Sequence, residues 1–145
     1  MNSILLLSFG LLVGVSALND DLLAEMKQKV AQIGLECAES ENAPEDDMIA
    51  LLNKRPPKTH EGKCILFCAA KKLGIMAADG SFGKGDDEWV AKAKSDDPDF
   101  VNKLIAAFEI CKPEADKESD NCEKAYVLSL CNYKEYLKSG IFKYF

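Results

Sequence analysis

Six cysteines, all downstream of an uncharged apolar start, constrain this chain more than any other feature. Residues Met1 to Ala17 carry no charged side chain. Ile4 to Leu7 and Leu11 to Val15 are apolar, and Val15-Ser16-Ala17 offers the small-residue pattern at which a signal peptidase cuts. A membrane anchor needs about 20 apolar residues, and Asn19, Asp20 and Asp21 arrive too early for one. Residues 1–17 are therefore expected to be a cleaved secretory signal. Residues 18–145 form the mature chain, released into extracellular fluid with no stable membrane insertion.

In an oxidising compartment an even set of cysteines is read as disulfides. They stand at Cys37, Cys64, Cys68, Cys111, Cys122 and Cys131, spaced C-x26-C-x3-C-x42-C-x10-C-x8-C. Spacing alone does not choose among the pairings. Cys64 and Cys68 are i and i+4, so on a helix they share a face one turn apart. A bridge between them would close a loop that the helix already closes, and would stabilise little. Each is expected to reach a different distant segment. A zinc site would need a second close pair of Cys or His, and the sequence has none. No metal and no cofactor are expected.

The chain between these anchors reads as helices. Asp20 is a candidate N-cap, and Leu22, Met26, Val30 and Ile33 then recur at helical spacing up to about Cys37. Pro44-Glu45-Asp46-Asp47 opens a second helix with Met48, Leu51 and Leu52 on its apolar side, ended by Pro56-Pro57. Thr59 caps a third from His60 to Leu73, with Gly74 as its stop. Asp86-Asp87-Glu88 begins a fourth, and Asp97-Pro98 a fifth that Lys112-Pro113 closes. Asp120 with Glu123 resembles a capping box and opens a sixth, to about Leu137. No alternating β pattern of useful length appears. On the sixth helix Cys122 and Cys131 lie half a revolution apart, so that helix is tethered on opposite sides and is central.

The cysteine spacing resembles that of the insect odorant-binding proteins, the pheromone- and general-odorant-binding family. The x3 and x8 gaps are its most specific marks, and Lys72-Leu73-Gly74-Ile75-Met76-Ala77-Ala78-Asp79-Gly80 also looks like the family. The resemblance covers essentially the whole mature chain. It implies the pairing Cys37–Cys68, Cys64–Cys122 and Cys111–Cys131, and an all-α fold: a six-helix, disulfide-stapled bundle enclosing an apolar cavity. Periodicity by itself favours a filled core; the resemblance reverses that preference.

The resemblance also implies a secreted carrier that binds small hydrophobic molecules, odorants or pheromones, and delivers them to olfactory receptors. The alternative is a non-olfactory scavenger or carrier of lipids or amines on the same scaffold. The inward arcs of the helices nominate Leu66, Met76, Trp89, Val90, Leu104, Ala107, Phe108, Val127, Leu130 and Leu137 as lining, with Tyr126 and Tyr133 as possible hydroxyl donors. The tail Gly140-Ile141-Phe142-Lys143-Tyr144-Phe145 is too apolar to be left exposed. It is expected to fold back as cavity wall or lid, with Phe142 among the ligand contacts. The expected state is a monomer or weak homodimer.

Other functions fit poorly. A formal net charge of −6 disfavours nucleic acid and anionic lipid surfaces, which call for clustered Lys and Arg. His60 is the only histidine, so every Ser-His-Asp or Cys-His arrangement must recruit it, and its neighbours Glu61 and Gly62 form no phospholipase motif. The acidic pairs Asp46/Asp47, Asp86/Asp87 and Asp96/Asp97 sit where helix caps explain them. Phe82-Gly83-Lys84-Gly85 lacks a phosphate-loop spacing.

Overall fold

The computed structural model describes residues 18–141, so the expected leader, residues 1–17, and the nominated contact Phe142 lie outside the described residues. Six helices follow in order: α1 (Asp20–Ser40), α2 (Glu45–Leu52), α3 (His60–Lys72), α4 (Asp87–Asp96), α5 (Pro98–Ala115) and α6 (Asn121–Ser139). The only β pairing among the described residues is an isolated bridge between Met76 and Phe82, in the loop from α3 to α4. The fold is all-α.

Most boundaries are set by side chains that satisfy the first free amides of each helix. Thr59 accepts from the Gly62 amide, Asp86 from Trp89, Asp97 from Phe100 and Asp120 from Glu123. Three boundaries differ from the sequence reading. The cap of α1 is Asn19, whose side chain accepts from the Asp21 amide, which leaves Asp20 in the first turn facing the positive end of the dipole. α2 stops at Leu52, well before Pro56, where Asn53 returns its side-chain amide to the Ile49 carbonyl. α5 runs through Pro113 to Ala115. The proline removes one amide only in the last turn, and its ring is exposed. The fully buried Cys111 and Ala115 on either side hold that turn in place.

The disulfides connect the helices in series. Cys37–Cys68 joins α1 to α3, Cys64–Cys122 joins α3 to α6, and Cys111–Cys131 joins α6 to α5, with Cα separations of 5.7, 4.6 and 5.6 Å. This is the pairing that the family resemblance implied, with Cys64 and Cys68 going to different helices. A Lys63–Glu123 ion pair at 2.8 Å runs alongside the α3–α6 bridge, and that bond holds the Lys63 ammonium above its usual pKa. α6 packs chiefly on α3 and α5, α1 on α3, and α4 on α5.

α2 and α4 carry no disulfide. α2 is tied down by Asp47, 2% exposed, which accepts from the Lys58 and Thr59 amides at 2.7 and 3.0 Å and from the Thr59 hydroxyl. The start of α3 comes very close: a Cβ on Gly62 would sit 2.2 Å from Asp47 Oδ2. α4 is held by a Lys29–Asp86 ion pair from α1 and by packing around Leu18 and Ile141. There Leu18 and Ile141 are buried together against Ala93, Phe100 and Val101, and the Asn19 amide donates to Asp96.

The buried residues do not merge into one core. Besides the cluster at the chain ends, a second joins Ile33, Cys37, Met48, Ile65 and Cys68, a third Ala70, Met76 and Ala125, and a fourth Cys111, Ala115 and Leu128.

Candidate ligand-binding site

The nominated lining residues are distributed over three of these clusters. Trp89, Val90 and Leu104 pack, half-buried, on the cluster at the chain ends. Leu66 packs on the Ala70–Met76–Ala125 cluster, in which Met76 itself is only 2% exposed and has little surface to offer a ligand. Ala107 is likewise buried. Phe108 and Val127 pack on the Cys111 cluster, where Phe108 meets Phe82 edge-on at 5.5 Å between ring centres.

Two residues depart from the sequence reading. Leu130, with Val127, borders a cleft of about 290 Å³ between α5 and α6 whose other walls include Ile110, Glu114, Lys134 and Glu135. Leu137 is 51% exposed. The error there is one of phase. Leu128 is the buried residue of this part of α6, and Leu137, nine residues on, falls half a turn away from it.

The polar groups are few. Lys63 lies 4.6 Å above the ring of Tyr126, so that tyrosine serves the α3–α6 contact. Tyr133 is half-buried. Tyr136, which the sequence reading passed over, packs with Trp89 against the cluster at the chain ends, and burial pushes its phenol pKa up to about 12. Its spacing could have revealed it, because Leu128, Asn132 and Tyr136 recur every four residues on one face of α6. Leu22 and Leu23 of α1 pack on the same cluster.

His60 is exposed at the start of α3, with Nε2 3.5 Å from Cys64 Sγ. Together with Cys122 these atoms lie within 4.8 Å of one another, a spacing that would suit a metal. Both sulfurs are consumed by the Cys64–Cys122 disulfide, so no thiolate is available to bind one. No helix among the described residues is long and apolar enough to cross a membrane.

The family model for the pheromone- and general-odorant-binding proteins (PBP/GOBP family) matches residues 19–135. The chain belongs to the PBP/GOBP family. General odorant-binding protein 19d of Drosophila melanogaster is 28% identical over 116 residues, 79% of this chain and 77% of that protein. Among solved structures, odorant-binding protein dmelOBP28a from Drosophila melanogaster superposes with a TM-score of 0.62 at 26% identity, covering 83% of this chain and 99% of that one. The fatty acid binding protein OBP56a from the oral disk of the blowfly Phormia regina gives 0.58 at 29% identity, over 79% and 94% of the two chains.

The PBP/GOBP family is one of odorant-binding carriers and not of enzymes, and as a member of it the chain is a carrier of hydrophobic ligands. Of the acidic pairs, Asp86 and Asp97 are occupied as caps, whereas Asp47 caps no helix and anchors the residues before α3.

Proposed function

We propose that this PBP/GOBP protein is a secreted carrier. It holds one small hydrophobic molecule in a chamber between α4, α5 and α6 and delivers it through aqueous fluid to olfactory receptors. The leader at residues 1–17 sends it out of the cell, where the three disulfides are stable.

The observation that carries this reading is the divided core. Domains of this size ordinarily bury one contiguous apolar core. Here four clusters are separated by half-buried apolar side chains, and the central helix α6 has no exposed residue from Asn121 to Tyr133 although only Ala125 and Leu128 in that stretch are buried outright. Half-buried Trp89, Val90, Leu104 and Tyr136 on α4, α5 and α6 are the apolar side chains such a chamber would use. Apolar walls take ligand surface out of water at about 25 cal/mol per Å², which supports micromolar binding without covalent chemistry.

The chain's end contributes to the wall. Ile141 is 2% exposed, inside the same cluster that Trp89, Leu104 and Tyr136 pack against. Deleting residues 141–145 is expected to weaken binding of the apolar fluorescent probe N-phenylnaphthylamine severalfold, and to lower stability by about 2 kcal/mol through loss of the isoleucine. Unchanged probe affinity in the shortened chain would remove the tail from the site. Mass spectrometry of material extracted from the native protein tests the carrier reading directly.

A further inference from the structure

Asp96 sits where a carboxylate is disfavoured. It is the last residue of α4, at the negative end of the helix dipole, and it caps nothing: the neighbouring Asp97 is the residue that caps α5. Lys94, the one basic residue in that last turn, stands two positions away, a spacing that does not bring side chains on a helix together. Among the described residues no cation pairs with Asp96. What its carboxylate accepts is the backbone amide of Asn19.

That bond brings the expected start of the mature chain to the end of α4. Leu18 is 2% exposed, in the cluster with Ala93, Phe100, Val101 and Ile141. Its nitrogen precedes that of Asn19 by one residue, about 3–4 Å of chain. Removal of residues 1–17 changes what this nitrogen is. Water adds across the Ala17–Leu18 peptide bond, the new carboxylate leaves with Ala17, and the freed amine takes up a proton. A neutral amide becomes an ammonium beside Asp96.

The other charges on the surrounding elements are negative or engaged. Asp20 and Asp21 stand in the first turn of α1, and Asp97 is buried as a cap. Asp99 of α5 is paired with Lys103, and Lys138 of α6 with Glu135. The Tyr136 phenol, packed on the same cluster, keeps its proton up to about pH 12.

We infer that the Leu18 ammonium, created when the leader is removed, is the cation that Asp96 lacks. It pairs with the Asp96 carboxylate and with the negative end of α4, and so latches the start of α1 onto α4 only in the processed chain. This rests on the secretion part of the reading above and not on the chamber. Before processing, the same nitrogen carries no charge, and Asp96 has the Asn19 amide alone.

The test compares thermal midpoints of the chain beginning at Leu18 and of the same chain acetylated at its N-terminus, each also as Asp96→Asn. That substitution keeps an acceptor for the Asn19 amide and removes the charge. At pH 7 acetylation is expected to lower the midpoint by about 2–4 °C with Asp96 in place, and to leave it unmoved in Asp96→Asn. An amine whose folded pKa is raised contributes fully below its unfolded value, near 8, and ceases to contribute as the pH rises through the folded one. The difference should therefore hold from about pH 6 to about pH 7.5 and be gone by about pH 10. N-terminal sequencing of the exported protein should read Leu18 first.

Equal midpoints at pH 7, a difference that survives at pH 10 or in Asp96→Asn, or an exported chain that starts at another residue would each overturn the latch. None of those results touches the carrier reading, which probe binding and mass spectrometry of the native protein test separately. A chain that is not exported with its leader removed would bring down the secretion reading, and the latch with it.

Discussion

Replacing Cys64 and Cys122 together by alanine is expected to destabilise the protein by about 4 kcal/mol, the largest loss among the three bridges. On the chain-entropy account a bridge stabilises by restricting the unfolded chain, and the restriction grows with the loop it closes. The separations are 58 residues for Cys64–Cys122, 31 for Cys37–Cys68 and 20 for Cys111–Cys131. The same relation gives about 3 kcal/mol for the shortest. Urea midpoints of the three double variants should fall in that order. The Cys64–Cys122 bridge also joins the two central helices, so its loss should weaken probe binding more than loss of Cys37–Cys68, which ties α1 to α3. Equal midpoints, or a reversed order, would show that native strain or residual structure in the unfolded chain outweighs loop length.

Asp47→Asn is expected to cost about 2–3 kcal/mol at neutral pH, because its new amide group faces donors instead of accepting from them. The buried carboxylate is disfavoured by desolvation, but the hydrogen bonds from Lys58 and Thr59 outweigh this and hold its pKa below the ordinary aspartate value. The sign follows from that direction. A group with a lowered folded pKa contributes fully above its unfolded pKa, near 4, and loses its contribution as pH falls through the folded value. The stability gap between the unaltered protein and Asp47→Asn should therefore be constant near neutrality and begin to close below about pH 5. A gap independent of pH down to acid unfolding would contradict this role.

Gly62→Ala attacks the same junction sterically. Its Cβ would also lie 2.7 Å from Pro57 Cβ, and Asp47 cannot withdraw without breaking its bonds, so about 2 kcal/mol is expected from overpacking alone.

Much of the fold was legible in local chemistry. Thr59, Asp86, Asp97 and Asp120 cap the helices their positions announced, because an N-cap needs only an acceptor and an amide two or three residues on. Gly74 ends α3 with φ near 69°, a conformation that glycine adopts freely. Pro113 misled, since the cost of a proline in a last turn depends on what holds that turn, and here buried Cys111 and Ala115 do.

The candidate site was less legible. Helical periodicity separates an inward from an outward arc, which suffices for Trp89, Leu104 and Phe108. It does not say whether an inward residue meets another side chain or open space, and Met76, nominated from a helix arc, lies off the helices in the isolated bridge with Phe82, where it is buried.

By itself, then, the sequence determined six helices and most of their caps, because these depend on residues within a turn or two of one another, and a set of cysteines bound for disulfides, because an even set in an oxidising compartment pairs. Only the tertiary structure decided that the apolar residues fall into four clusters, that Leu18 and Ile141, 123 residues apart, join one of them, and that an indole N–H and an amide oxygen are enclosed without partners. Those outcomes depend on how helices distant in sequence approach one another, and no local pattern encodes that distance.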